Sequence, residues 1–135
     1  MKTLVSACLL GLACRYDGCT KPCAKALEIQ DAIPFCPECM GGLPTPRPPA
    51  EICGKQVINT EGTDVTAQYR KGAEEALRLC KQLGITRAVL KAKSPSCGRG
   101  RVYDGSFTRT LREGNGITAQ LLLDHGIEVI TENDL

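Results

Sequence analysis

The chain has no tryptophan, one histidine, three tyrosines and two phenylalanines. So few aromatics provide no stacking platform for single-stranded nucleic acid. With His125 alone, Cys-His nucleophile pairs and multi-histidine metal sites are nearly excluded. A formal net charge of +2 gives no electrostatic footprint for a polyanion. No apolar run approaches the ~20 residues that span a bilayer, so no membrane role is expected. The opening "MKTLVSACLLGLAC" superficially resembles a secretion signal, but its charged region holds only Lys2, and "SACLLG" reads better as a buried strand entering a loop.

What remains is an ordinary globular composition, 42% hydrophobic and 24% charged over 135 residues. That length predicts a single domain, residues 1–135, burying about two-thirds of the surface its unfolded form exposes. Cysteine is the exception to the ordinary composition. Nine occur, at 8, 14, 19, 23, 36, 39, 53, 80 and 97. The count is odd, and the chain is large enough to fold without disulfides. A reducing, cytoplasmic compartment and a thiolate-bound metal centre fit better than a secreted framework.

Residues 3–7, "TLVSA", predict a first strand that ends at Cys8. A short helix is expected from about Thr20, with Pro22 in its first turn, and "AIPF" is a second strand ending at Cys36. Residues 36–63 are rich in Gly and Pro, which predicts a functional loop with no helix and a small hairpin about Gly54-Lys55. The clearest helix follows. Asp64 or Thr66 caps it, Val65, Tyr69, Ala73, Ala76, Leu77, Cys80 and Leu83 share one face, and Gly84 ends it. "RAVLKA" is a third strand running into "KSPSCGRG", "GITAQLLLDHG" is a last helix, and "IEVI" is a fourth strand. The alternation predicts an α/β fold: one three-layer domain, a mostly parallel sheet of about four strands, and helices on both faces. Strand carboxyl ends then share one edge, where ligands bind. Cys8, Cys36 and Cys97 each lie beyond such an end.

The thiol chemistry has three readings. "CPEC" alone suggests a dithiol oxidoreductase, although "MGGLP" is a poor helix start. Cys36 and Cys39 with two distant cysteines could form a structural zinc site. A cubane iron-sulfur cluster suits soft thiolates widely spaced in sequence, and the glycines of "CLLG", "CMGG" and "CGRG" could turn backbone N–H groups toward its sulfides. Cys80 reads as core. Cys14, Cys19 and Cys23 read as packing, and Cys53 as incidental. "RYDG" and "VYDG" echo each other and read as two Asp-Gly turns with packed tyrosines. Arg47, Lys91, Lys93, Arg99 and Arg101 are either solvated surface or cations that draw a polar substrate. Glu38, two residues from Cys36, is a general-base candidate, since a nearby anionic cluster and burial would both favour its protonated form.

Together, "SACLLG…CRYDG", "CPE…GGL…PR…E", "DVT…Y…G" and "KSPSCG" resemble the family catalogued as domain of unknown function 523, the thiouracil desulfidase-like iron-sulfur proteins. The resemblance covers nearly the whole chain. It implies a [4Fe-4S] cluster held by Cys8, Cys36 and Cys97, with one iron left to take the sulfur of a thiolated pyrimidine such as 2-thiouracil, without net redox change. It implies Glu38 and Ser94 as the catalytic pair; in the mechanism expected from these residues, backbone amides around Gly98 hold the ring oxygen. Cys39 stands where many relatives carry an apolar residue, so Cys39 or Cys14 could replace a ligand. The expected partner is a small-molecule thiolated pyrimidine, with no nucleic acid and no membrane. A homodimer is an open option, and a sulfur carrier is a rival function.

Overall fold

A computed structural model describes residues 1–135. Four strands form one sheet: β1 (Thr3–Ser6), β2 (Ala32–Phe35), β5 (Arg87–Leu90) and β8 (Glu128–Thr131). Their order is β2-β1-β5-β8 and every pairing is parallel. The central strands are short and almost wholly buried because both faces are covered. On one face Leu4, Ala88 and Leu90 meet Ala76 and Cys80 of α3 (Thr66–Leu83) and Ala119 and Leu122 of α4 (Ile117–Asp124). On the other, Val5 and Val89 meet Leu9 and Ala26, the latter from the one-turn helix α1 (Ala24–Leu27). Each large aliphatic side chain so buried contributes about 1.5–3 kcal/mol. The expected α/β architecture is therefore present.

The rest of the chain builds a wall beside the sheet. A hairpin of β3 (Ala50–Cys53) and β4 (Gln56–Asn59) turns at Gly54-Lys55 as expected. Beneath it, Val65, just before α3, and Tyr69 in its first half pack with Ala50, Ile52, Val57 and Val102. α3 thus joins the hairpin to the sheet. At its start Val65, rather than Asp64 or Thr66, occupies the N-cap position, the Asp64 carboxylate accepts the Thr66 N–H at 2.8 Å, and Gly84 ends the helix in the left-handed conformation.

Several expectations need correction. β1 stops at Ser6, and Ala7–Leu10 form a 3₁₀ turn that contains Cys8. The helix expected from Thr20 begins only at Ala24, because Cys23 is extended and the Lys21 and Cys23 N–H groups bond back to the carbonyls of Cys8 and Leu9. The segment after Cys36 does contain a helix, α2 (Pro37–Met40), one turn long with proline preorganised at its first position. A second hairpin, β6 (Arg101–Tyr103) with β7 (Leu111–Glu113), is too short to leave a periodic signature. Leu83 is partly exposed rather than core.

Candidate active site

From β1 the chain moves to β2 on one side and later to β5 on the other. The crevice beyond β1 and β5 is therefore the place where a parallel sheet opens to a ligand. A cavity of about 570 Å³ lies there, lined by Cys8, Cys36, Cys97, Glu38 and Ser94, all five residues singled out by sequence, and also by Cys14. Cys39 does not line it. Its thiol lies 3.4 Å from the Thr45 hydroxyl and 3.8 Å from the Cys14 carbonyl.

α2 owes its place to two glycines. A Cβ on Gly72 of α3 would fall 1.9 Å from the Pro37 carbonyl oxygen, and one on Gly41 would fall 2.0 Å from that of Gln68. The two helices therefore touch backbone to backbone, and this brings Glu38 to Tyr69. The buried Tyr69 hydroxyl donates to Glu38 Oε1, and Arg47 Nη2 donates to Oε2 at 3.2 Å. Arg47, left by sequence reading as a surface cation or a substrate attractor, is the most buried cation of the site, its side chain 3% exposed. It also donates to the carbonyls of Cys14 and Pro44 and to the Thr45 hydroxyl at 3.0–3.2 Å. Burial disfavours its charge, but Glu38, with Cys36 and Cys39, outweighs that effect and holds the guanidinium charged. Burial foremost, then the Glu38 charge, pushes the Tyr69 hydroxyl upward, so it stays a donor. Each oxygen of the Glu38 carboxylate thus accepts one side-chain hydrogen bond.

Ser94 follows β5 in the turn that carries Cys97. Its hydroxyl oxygen accepts the N–H groups of Ser96 and Cys97, each at 3.1 Å. With both lone pairs engaged, its remaining capacity is to donate. The Gly98 amide, expected to face the substrate, is committed to the Ser94 carbonyl at 2.8 Å. The amides of Gly11, Gly41 and Gly42 are likewise spent on the carbonyls of Cys8, Pro37 and Cys39, so these glycines serve turns and close packing rather than an anion.

The thiols form a connected set. Burial first, then the charge of Cys14, raises Cys8 to about 11, with Lys91 and Arg15 opposing. Burial first raises Cys97 to about 12, with Glu38 and Cys8 adding to it and hydrogen bonds from Ser6 and Ser96 opposing. Cys36 is raised by burial and then by Cys14, Cys39 and Cys97. No three His, Cys, Asp or Glu side chains converge closely enough for a single metal ion. Thiols distributed around one cavity fit instead a body with several metal corners, and thiolate is the donor iron-sulfur clusters take. The residues therefore fit the cluster that the resemblance implies.

Sequence reading missed two tyrosines. Tyr16 of "RYDG" and Tyr103 of "VYDG" line the same cavity, so the echo between these segments marked two walls of one site. Lys91 and Lys93 also line it, and Lys91 pairs with Glu132 at 2.9 Å; Arg99 and Arg101 lie outside. Cys80 is core, as expected.

Comparison with known proteins agrees with this geometry. The family model for 2-thiouracil desulfurase matches residues 3–134. The uncharacterized protein YbbK of Bacillus subtilis (strain 168) is 39% identical over 145 residues, spanning 98% of this chain and 96% of YbbK. A solved structure of a [4Fe-4S]-dependent thiouracil desulfidase, TudS, superposes with a TM-score of 0.95 at 51% identity, covering 99% of this chain and 92% of that one.

Proposed function

This chain belongs to the 2-thiouracil desulfurase family, and from that premise we propose that it is a [4Fe-4S]-dependent desulfidase that hydrolyses the C–S bond of thiolated pyrimidines such as 2-thiouracil. The observation that carries this reading is the meeting of Cys8, Cys36, Cys97, Glu38 and Ser94 in one cavity at the sheet's carboxyl edge. Cys8, Cys36 and Cys97 are the residues that would hold the cluster, which when bound supplies a Lewis-acidic iron without a protein ligand, able to take a thiocarbonyl sulfur. Glu38 takes a proton from the attacking water on a lone pair that its Tyr69 and Arg47 bonds leave open. Ser94 donates its hydroxyl proton to the substrate as charge develops on the ring. One C–O bond forms and one C–S bond breaks, giving uracil and sulfide with no net electron transfer. Nine free thiols support a reducing compartment such as the cytoplasm, and no helix is long and apolar enough to cross a membrane.

Air-free reconstituted protein, assayed for iron, acid-labile sulfide and sulfide release from 2-thiouracil, tests the reading. Glu38→Gln is expected to keep the cluster's brown absorbance and lose turnover. Colourless wild-type protein would remove the cluster from the account, and a fully active Glu38→Gln would remove Glu38 from the mechanism.

A further inference from the structure

Two carboxylates line the cavity, and they are held differently. Glu51 Oε1 is taken up by the N–H groups of Gly105 and Phe107 at 3.0 and 3.2 Å, a structural brace for the loop between β6 and β7. Glu38 is held by two side chains, one on each oxygen, and neither lines the cavity it faces. Tyr69 and Arg47 instead border a second space of about 240 Å³, which Glu38 does not line. They are 1% and 7% exposed. They cannot reach a substrate in the main cavity, so any effect they have on it passes through Glu38.

From this arrangement we infer that Tyr69 and Arg47 are positioning residues that clamp the Glu38 carboxylate in its working orientation, an inference that rests on the role given to Glu38 above. A glutamate on a one-turn helix has rotamer freedom that a free base would keep. A donor on each oxygen removes it, fixing the plane of the carboxylate and leaving one lone-pair direction on each atom open. Arg47 extends the clamp to other loops. Its Nη2 also bonds the Cys14 carbonyl at 3.0 Å, its backbone N–H bonds the Tyr16 carbonyl at 2.7 Å, and the Cys36 thiol lies 3.7 Å from that same Cys14 carbonyl. The orientation of Glu38 is thus set by the framework that carries a proposed cluster ligand. Glu38 is the only carboxylate Arg47 contacts, so the buried guanidinium and the carboxylate each depend on the other.

Tyr69→Phe deletes one oxygen from a packed side chain and is the decisive variant. Its kcat for sulfide release from 2-thiouracil is expected to fall about tenfold or more, with KM and iron per chain unchanged. Arg47→Lys, which keeps the charge but not the fork, is expected to retain more turnover than Arg47→Met. A readout independent of turnover is a double-mutant cycle of unfolding midpoints over wild type, Tyr69→Phe, Glu38→Gln and the double variant, expected to be non-additive. A wild-type kcat in Tyr69→Phe, a loss of iron in step with kcat, or an additive cycle overturns the clamp. If Glu38→Gln alone turns over normally, the failure lies in the role assigned to Glu38, and that variant reports it without touching Tyr69 or Arg47.

Discussion

Gly72→Ala sets two known effects against each other, and the structure decides between them. Replacing glycine inside a helix normally stabilises by about 1 kcal/mol, since alanine loses less backbone entropy. Gly72 sits in the middle of α3 and would ordinarily show that gain. Here, however, the new Cβ would lie 1.9 Å from the Pro37 oxygen and 2.6 Å from its carbon. Both neighbours are backbone, so no side chain can rotate away. Ordinary contact begins near 3.4 Å, so α2 must retreat by at least about 1.5 Å from α3. Overpacking of this kind costs about 1–3 kcal/mol, and the retreat also parts Glu38 from Tyr69, a hydrogen bond to a charged group worth about 1.5–3 kcal/mol. Against a helix gain of about 1, the net loss is about 1.5–5 kcal/mol, a fall in Tm of roughly 5–20 °C for a domain of this size. A reacting group displaced by about 1 Å can cost about 100-fold in rate, so turnover should fall by that order. Thermal melting and sulfide release on the same preparation measure both. Gly84→Ala is the control: its φ of +68° carries backbone strain, but nothing lies within 4 Å of its Cβ, so it should lose some stability and keep turnover. A Gly72→Ala protein that melts at or above the wild-type temperature with full activity would refute the contact as the device that seats α2.

Ser94→Ala removes the acceptor of the Ser96 and Cys97 N–H groups, in a turn where Ser96 is fully buried. Urea unfolding should show a loss of about 1–3 kcal/mol, with lower turnover; unchanged stability would contradict the bonding described for this turn. Cys80 offers a test in pH. Burial raises its thiol from 9.0 to about 11. Below pH 9 it is protonated in both states and its contribution is complete; between 9 and 11 the unfolded chain releases the proton first, so stability falls by at most about 2–3 kcal/mol as pH rises. Urea midpoints at pH 8 and 10.5 should therefore converge between wild type and Cys80→Ala at the higher pH. Parallel curves would show that the thiol does not titrate in this way.

Much of the fold and part of the site were legible because they depend on patterns local to the chain. "TLVS" and "RAVL" are apolar enough to announce strands covered on both faces, and a cysteine following each of three strands is an arrangement that a parallel sheet turns into proximity. What stayed hidden are contacts between polar atoms far apart in sequence. Tyr69 fell on the apolar stripe of α3 and read as core, which its ring is, yet periodicity says nothing about where its hydroxyl goes. Its partner is 31 residues away. A usable signal existed all the same, because a buried tyrosine hydroxyl needs an acceptor, and Glu38 was the one carboxylate already tied to the site. Arg47 lies in "PTPRPP", a stretch whose composition signals an exposed loop, yet the guanidinium is buried against four partners, two carbonyls, a hydroxyl and a carboxylate. Gly72 was unreadable for a different reason. Inside a helical pattern a glycine looks like a weak position, and only the backbone of α2 lying on it shows that the missing side chain is what lets Glu38 reach its clamp. The least helical residue of α3 is therefore the one on which the geometry of the proposed base most depends.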